Sequence, residues 1–223
     1  PMRAIQGLAR VLLRASIPYT VIEEQHPDPL DGLSVLFMPR GIVVDEPAAA
    51  RLAEWVEEGG TLVVESEAGA FGGNGLYRYP GERFLATYFG IEEVGRRELP
   101  ANAVPVAIDP APSAGSSSSP RGDSRAEARE RGGSGAGAAG VRTYFLPATQ
   151  WATPYTNGAL TQQVAHGTGQ VIAIGLYSAE AYYAGDRDGA PEYGAAVDEY
   201  ERFVTDVVAG AGVDLAARVV EAG

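Results

Sequence analysis

Residues 45–66, with the sequence DEPAAARLAEWVEEGGTLVVES, constrain the fold of this chain more than any other stretch. Asp45 can accept the free amide hydrogens of a first helical turn, and Pro47 stands where a helix needs no N–H donor. The glycine pair at 59–60 can supply the left-handed residue that ends a helix. The uninterrupted apolar run at 62–64 is typical of a parallel strand covered on both faces. The stretch therefore predicts a helix followed by a buried strand, as in an α/β fold.

The same criteria predict further helices and strands along the chain. Helices are expected at Arg3–Ala15, Glu82–Phe89 and Val197–Ala209, and further strands at Tyr19–Ile22, Val35–Met38, Val104–Ile108, Thr143–Leu146, Leu160–Ala165 and Gln170–Ile174. We interpret the strands at 104–108, 143–146 and 160–165 as a small side sheet. The others suit a flavodoxin-like parallel sheet with helices on both faces. The predicted fold class is thus α/β, with a small additional β region.

The composition argues against several classes of function. The 223 residues carry a net charge of −12, which disfavours a nucleic-acid or anionic-membrane surface because both need clustered cations. The chain has no cysteine, which excludes disulfides, thiolate catalysis and cysteine metal sites. No apolar run approaches the roughly 20 residues of a membrane span. We therefore expect a soluble, cytoplasmic protein without nucleic-acid or membrane partners.

The length favours a single domain, residues 1–223, interrupted by a low-complexity segment. Residues 111–140 include SSSS at 116–119 and GGSGAGAAG at 132–140. Such sequence buries too little apolar surface to offset the entropy of ordering, roughly 1–2 kcal/mol per residue of backbone. We expect a flexible insertion there. Because Pro1 is not an initiator residue and a helix follows at once, we also expect the chain to be a fragment of a longer polypeptide.

Glu65, Ser66 and Glu67 follow the buried strand at 62–64, at the sheet edge where α/β proteins place their sites. Paired carboxylates can perform acid–base chemistry if their pKa values are split. A loop begins here, however, so solvated or capping carboxylates are the alternative interpretation. Ser66 lacks the GxSxG pattern of a nucleophilic serine. Of the two histidines of the chain, His26 lies in a proline-rich turn and His166 precedes a glycine turn. No catalytic residue is predicted, and a hydrolase using Glu65 or Glu67 is the competing hypothesis.

Metal and cofactor sites find little support in the sequence. The two histidines are too far apart to give metal-ligand spacing. The run Asp186-Arg187-Asp188-Gly189 matches the start of a calcium loop but lacks its distal glutamate. The glycine-rich stretch at 72–75 lacks the Lys and Ser/Thr of a phosphate loop. We therefore predict no metal and no cofactor.

Aromatic side chains are concentrated in the last third of the chain, mostly in predicted loops around the final strand. The candidates are Trp151, Tyr155, Tyr177, Tyr182, Tyr183 and Tyr193. Rings with a polar tip suit sugar faces or subunit interfaces, and the segment 177–193 is our candidate for an exposed interface patch. The alternative is that these side chains form lids over the edge of the sheet.

Several short motifs occur in a fixed order that spans most of the chain outside the insertion. They are Ile17-Pro18 after the first helix, Val35-Leu36-Phe37-Met38-Pro39, VEEGGTLV at 56–63, Pro80-Gly81, Phe89-Gly90-Ile91, GTGQVIAIG at 167–175, and Ala211-Gly212-Val213 after the last helix. Their order and spacing resemble the class I glutamine-amidotransferase-like fold. More specifically, they resemble the middle, trimerisation domain of the family-42 beta-galactosidases.

The resemblance implies a role without catalysis. In that family the catalytic glutamates belong to a preceding barrel, and this domain packs subunits together. Active amidotransferases need a cysteine after a central strand, whereas residues 65–69 here contain none. The family's first strand is absent, and the insertion at 111–140 departs from the family pattern. The resemblance thus implies that the full-length protein is a homo-oligomer, a trimer, in which this domain contributes to a carbohydrate cleft. A sugar-binding or sensing domain is a further alternative for the function.

Overall fold

The computed structural model describes residues 2–23, 30–100, 102–110, 140–187, 189 and 193–213. The helices are α1 (Met2–Arg14), α2 (Glu46–Glu57), α3 (Phe84–Phe89), α4 (Ser178–Arg187) and α5 (Gly194–Gly210). The strands are β1 (Val35–Met38), β2 (Thr61–Val64), β3 (Arg97–Glu98), β4 (Ala103–Ile108), β5 (Arg142–Pro147), β6 (Trp151–Ala152), β7 (Thr161–His166) and β8 (Gly169–Ile174). The predicted insertion lies outside the described residues except for Gly140, as do His26 and Asp188.

A parallel-rich sheet in the order β1-β2-β8-β7 forms the centre of the protein. β1, β2 and β8 run parallel, with Leu36 opposite Leu62 and Leu62 opposite Val171. β7 runs antiparallel to β8, because the turn Gly167-Thr168 joins them with Gly167 at φ +59°. The strand predicted at 160–165 therefore belongs to the main sheet, which corrects its placement in a side sheet.

The remaining strands form two short antiparallel pairs. β4 pairs with β5, with Val106 opposite Tyr144, and this pair forms the predicted additional β region. β3 pairs with β6 through Arg97 and Ala152. The side chains of Val106 and Tyr144 enter the core on one face of the main sheet. The small pairs therefore extend that core rather than form a second one.

Helices cover both faces of the main sheet. Buried side chains of α1, α4 and α5 pack on one face, and those of α2 and α3 on the other. α2 begins as predicted, because the Asp45 carboxylate accepts a hydrogen bond of 2.9 Å from the Ala48 amide. The Trp55 indole donates to the Leu33 carbonyl at 3.2 Å and covers Gly60, where a Cβ would lie 2.4 Å from the ring. A glycine is therefore needed between α2 and β2.

Two further sequence predictions differ from the structure. The segment Tyr19–Ile22 is not a strand; it pairs with no described strand, and Val21 is 67% exposed. Residues 178–187, a region whose aromatic residues are predicted to lie mostly in loops, form α4, in which Ala179 and Ala181 are buried. Within the described part of the chain, no helix is long and apolar enough to cross a membrane.

Candidate functional site: the carboxylates that follow the second strand

The chain leaves β2 through Glu65, Ser66 and Glu67, as the sequence predicted, and all three are held tightly. The Ser66 amide donates to the Leu176 carbonyl at 3.1 Å, which ties the turn to the end of β8. Glu65 and Ser66 are buried, and Glu67 adopts a left-handed conformation with φ +63°. Only a few per cent of non-glycine residues do so, and such residues cluster at functional sites.

The Glu65 side chain lies beneath the start of α4. One carboxylate oxygen accepts a hydrogen bond of 2.7 Å from the Ala179 amide and another of 3.4 Å from the Tyr200 hydroxyl. Burial raises the pKa of Glu65 to about 8, against the opposing effect of these two donors. At pH 7 the carboxyl group is therefore mainly protonated. Its other oxygen has no hydrogen-bond partner among the described residues.

Glu67 is in the opposite electrostatic state. Burial alone would raise its pKa, but hydrogen bonds from the Tyr177 hydroxyl at 2.5 Å and from Arg96 at 2.6 Å outweigh that effect and lower it. The Arg96 guanidinium also lies 3.3 Å from the Tyr177 hydroxyl. Glu67 is therefore an ionised carboxylate whose charge is already compensated by the chain itself.

A buried ion pair that sequence reasoning missed completes the cluster. Glu93 pairs with Arg83, and both side chains are almost fully buried. Glu93 also accepts hydrogen bonds from the Glu67 amide at 2.8 Å and from the Thr153 hydroxyl at 3.1 Å. Burial raises the pKa of Glu93, although Arg83 opposes the shift. The ion pair thus holds the left-handed turn after β2 in place.

The pKa values of Glu65 and Glu67 are shifted in opposite directions, as acid–base chemistry requires, but the two carboxyl groups are poorly placed for it. Glu65 is only 4% exposed, and Glu67 is engaged by two donors. The Ser66 hydroxyl contacts the Thr153 hydroxyl, and His166 packs its ring against Phe89, with the centroids 5.0 Å apart. Among the described residues, no group of three metal-ligating side chains is present. The contacts of these carboxylates stabilise the turn after β2, and none of them presents a nucleophile.

The structure moves most of the predicted aromatic candidates into the interior. Tyr155, Tyr177, Tyr182 and Tyr183 are each less than 7% exposed. The loop prediction for 182 and 183 is wrong, because both lie on α4. Tyr182 packs beside the Tyr200 ring, with centroids 5.4 Å apart. The predicted exposed patch at 177–193 is therefore not present in the described residues.

The other two aromatic candidates remain accessible. Trp151 is 41% exposed on β6, and Tyr193 is half-buried at the start of α5. A contact of either ring with a sugar or with a second subunit stays a prediction.

An exposed aromatic loop that sequence reasoning overlooked lies after the turn. Leu76, Tyr77 and Tyr79 are 67%, 51% and 69% exposed. The Tyr77 ring is held edge-on by Phe71 and Tyr79, with centroids 5.6 and 5.7 Å away. Arg83 both donates to the Tyr77 hydroxyl at 3.1 Å and lies 5.6 Å from its ring centre. The alternation of tyrosines in LYRYP, at 76–80, was the signal in the sequence.

The fold of this chain is similar to that of several enzymes of known structure. Beta-galactosidase from Bacillus circulans sp. alkalophilus has a TM-score of 0.60 at 14% identity, over 96% of this chain and 27% of the enzyme. Gan42B, a GH42 beta-galactosidase from G. stearothermophilus, has a TM-score of 0.51 at 22% identity, over 86% of this chain and 25% of the enzyme. Exo-beta-1,4-mannosidase Op5Man5 from Opitutaceae bacterium strain TAV5 has a TM-score of 0.54 at 12% identity, over 92% of this chain and 31% of the enzyme.

At these identities the likeness shows the fold alone. The chain spans about a quarter of the length of the beta-galactosidases that it matches. No protein family and no curated protein matches the sequence. What the comparisons show is that the described chain has a mixed α/β fold like that of one part of the GH42 beta-galactosidases.

Proposed function

We propose that this chain is a non-catalytic module of a carbohydrate-processing enzyme related to the beta-galactosidases. In this role it packs subunits into a homo-oligomer, a trimer, and contributes to a sugar cleft. The observation that carries the proposal is the fold likeness, which extends over 86–96% of this chain but only about a quarter of each beta-galactosidase. As the resemblance implies, this role leaves the catalytic machinery to another part of such an enzyme.

The state of the carboxylates supports the absence of catalysis. A glycosidase needs two carboxyl groups that face a shared substrate, one as acid and one as nucleophile or base. Glu65 is instead buried beneath α4, and Glu93 is paired with Arg83. Glu67 carries a charge that Arg96 compensates. The competing hydrolase hypothesis therefore lacks an accessible acid–base pair.

The exposed aromatic loop supports a contact role. Tyr77 is fixed by Arg83 and Phe71, so that presenting its ring to a partner costs little additional ordering. Leu76 and Tyr79 extend the apolar surface on either side. Exposed aromatic groups of this kind are enriched at the centres of protein interfaces and on sugar-binding surfaces.

Sedimentation velocity on the natural polypeptide that carries this chain tests the proposal. We expect a trimer, and we expect Tyr79→Asp together with Leu76→Asp to shift it towards monomer. Leu13→Asp is the matched control, because Leu13 is 65% exposed on α1 in a different part of the surface. A monomeric wild type would contradict the oligomerisation role. An unchanged trimer in the double variant would contradict the assignment of the loop to the interface.

A further inference from the structure

An exposed tryptophan lies on the small strand pair β3–β6, beside the turn that follows β2. The two strands are antiparallel, with Glu98 opposite Trp151 and Arg97 opposite Ala152. Residues directly opposed in such a pair direct their side chains to the same face, and successive pairs alternate between the two faces. Ala152 is buried in the core. The side chains of Glu98 and Trp151 therefore lie on the face that points away from that core.

This outer face continues towards Glu67. Arg96 precedes Glu98 by two residues, so its side chain follows on the same face. It donates a hydrogen bond of 2.6 Å to Glu67. Thr153, two residues after Trp151, contacts the same turn through its hydroxyl group. Diagonal neighbours across a strand pair lie roughly 7–8 Å apart, so one small ligand can contact both the indole and the guanidinium group.

The charged groups on this face are held in place and still have unused hydrogen-bonding atoms. Arg96 uses one nitrogen, Nη2, for both of its acceptors, which are Glu67 Oε2 and the Tyr177 hydroxyl. The Tyr177 hydroxyl in turn donates to the same Glu67 oxygen. Glu67 Oε1 and Arg96 Nη1 have no hydrogen-bond partner among the described residues, and neither atom is buried. An acceptor and a donor are therefore presented side by side.

Such a pair matches the chemistry of a vicinal diol. One hydroxyl donates to the carboxylate while its neighbour accepts from the guanidinium. Trp151, which is 41% exposed, offers an apolar platform next to this pair. Glu98 adds a second carboxylate, whose Oε1 atom is held by Gln150 at 2.7 Å. An apolar surface with a few fixed polar groups is typical of a small-molecule site, and this combination fits a sugar ring.

The charge of the surface argues against other partners. Its carboxylates outnumber its guanidinium group, so phosphates and other anions are repelled. The core of a protein interface is usually depleted of charged residues, whereas the exposed neighbours of Trp151 on this face, Arg96 and Glu98, are charged. A neutral ligand with several hydroxyl groups fits better than an anion or a second subunit.

We propose that Trp151, Arg96 and Glu67 form a binding subsite for a neutral pyranose. One face of the sugar ring stacks on Trp151, and a vicinal diol bridges Glu67 Oε1 and Arg96 Nη1. This inference rests on the proposed function and deepens it, because it assigns the sugar contact to particular residues of this chain. The contacts among Glu67, Arg96 and Tyr177 already fix the polar groups, so binding requires little further ordering.

Titration of the 223-residue chain with methyl thiogalactoside, followed by NMR, tests the subsite. The chain has two tryptophans, so the indole N–H signals supply a reporter, Trp151, and an internal control, the buried Trp55. We expect the Trp151 signal to shift and to saturate with a dissociation constant in the millimolar range, while the Trp55 signal stays unchanged. Absence of a saturable shift of the Trp151 signal would overturn the proposal.

Two neighbouring arginines provide a matched comparison. Arg96→Met removes the donor, and we expect it to weaken binding about tenfold. Arg97→Met makes the same change of charge on the opposite face of β3 and should leave the dissociation constant unchanged. Equal weakening by both variants would show a general charge effect and overturn the subsite. Trp151→Ala, followed through the Glu98 amide, should abolish binding, whereas Trp151→Phe should retain most of it; unchanged binding in Trp151→Ala would also overturn the subsite.

Other ligands and contacts are outcomes of the same titration. Sorbitol offers vicinal hydroxyl groups without a ring, and binding of sorbitol as tight as that of the galactoside would overturn the stacking on Trp151. A Trp151 signal that shifts with protein concentration instead of sugar would assign the surface to a subunit contact and overturn the proposal.

A second measurement applies if the 223-residue chain does not fold by itself. In hydroxyl-radical footprinting of the natural polypeptide, the galactoside should protect Trp151 in the wild type and in Arg97→Met but not in Arg96→Met. Absence of protection in the wild type overturns the proposal. A trimer without this sugar contact contradicts the subsite alone, whereas a monomer that binds sugar through Trp151 contradicts the subunit-packing role alone.

Discussion

The backbone amide of Ala179 donates a hydrogen bond of 2.7 Å to the carboxyl group of Glu65, across 114 residues of sequence. This contact joins the turn after β2 to the first turn of α4. Because Glu65 is buried, its pKa is raised to about 8, from a usual value of 4.5. The contact is thus made by a carboxyl group that is mainly protonated at neutral pH.

Glu65→Gln is expected to stabilise the protein at alkaline pH. The folded state binds a proton more tightly than the unfolded state, so the wild type loses stability as the pH rises from about 4.5 to about 8. Glutamine keeps the oxygen that accepts from Ala179 and cannot ionise. At pH 9 we expect the variant to unfold at a higher urea concentration than the wild type, because its free energy of unfolding is larger by a few kcal/mol at most. At pH 5 we expect a smaller difference. Urea unfolding at both values measures this.

The control for that experiment is Glu67→Gln. The pKa of Glu67 is lowered, so its ionised form stabilises the folded state, and that contribution is lost as the pH falls through the folded pKa. The variant should therefore be less stable than the wild type at pH 7, the reverse of Glu65→Gln. The same sign for both substitutions would contradict the assigned ionisation states.

Replacing one partner of the buried ion pair is expected to lower the free energy of unfolding more than replacing both partners. Arg83→Met leaves the Glu93 charge buried and uncompensated, which costs about 3–5 kcal/mol in comparable pairs. The double variant Arg83→Met/Glu93→Gln should recover part of that loss. A double-mutant cycle by chemical denaturation gives the coupling energy. Additive losses would show that the pair does not act as a unit.

Removing residues 111–139 is expected to leave the fold intact. Ile108 on β4 pairs with Arg142 on β5, so the two ends of the segment are already held together. The deletion leaves Asp109-Pro110-Gly140-Val141 as a four-residue hairpin connection, a common length. Closure entropy varies slowly with loop length, so we expect a melting temperature within a few degrees of the wild type. Loss of the cooperative melting transition would show that the segment contributes packing.

The elements that local sequence determines are predicted well. Asp45 and the glycine pair at 59–60 place α2 and β2 correctly, because caps and turns act within a few residues. The sequence identifies the turn at 167–169 but places β7 in the wrong sheet. Strand pairing depends on tertiary partners that the turn alone does not specify. The sequence does not reveal α4, because its tyrosines resemble loop aromatics, whereas packing against α1 and α5 buries them.

The candidate site could be located from the sequence but not understood from it. The end of a buried strand correctly marked Glu65 and Glu67. Their electrostatic states depend on Ala179, Arg96 and Tyr177, which lie 29 to 114 residues away. No local pattern reveals such contacts. For the same reason the ion pair between 83 and 93 was not anticipated.

The central claim is that Glu65, mainly as the protonated acid, and Glu67, as the ionised carboxylate, hold the turn after β2 and perform no catalysis. Its most direct test is the turnover of chromogenic galactosides and of glutamine by the purified 223-residue chain, measured beside Glu65→Gln and Glu67→Gln. The account predicts no turnover above background for any of the three proteins, together with the opposite stability changes of the two variants. Turnover by the wild type that disappears in either variant would contradict it.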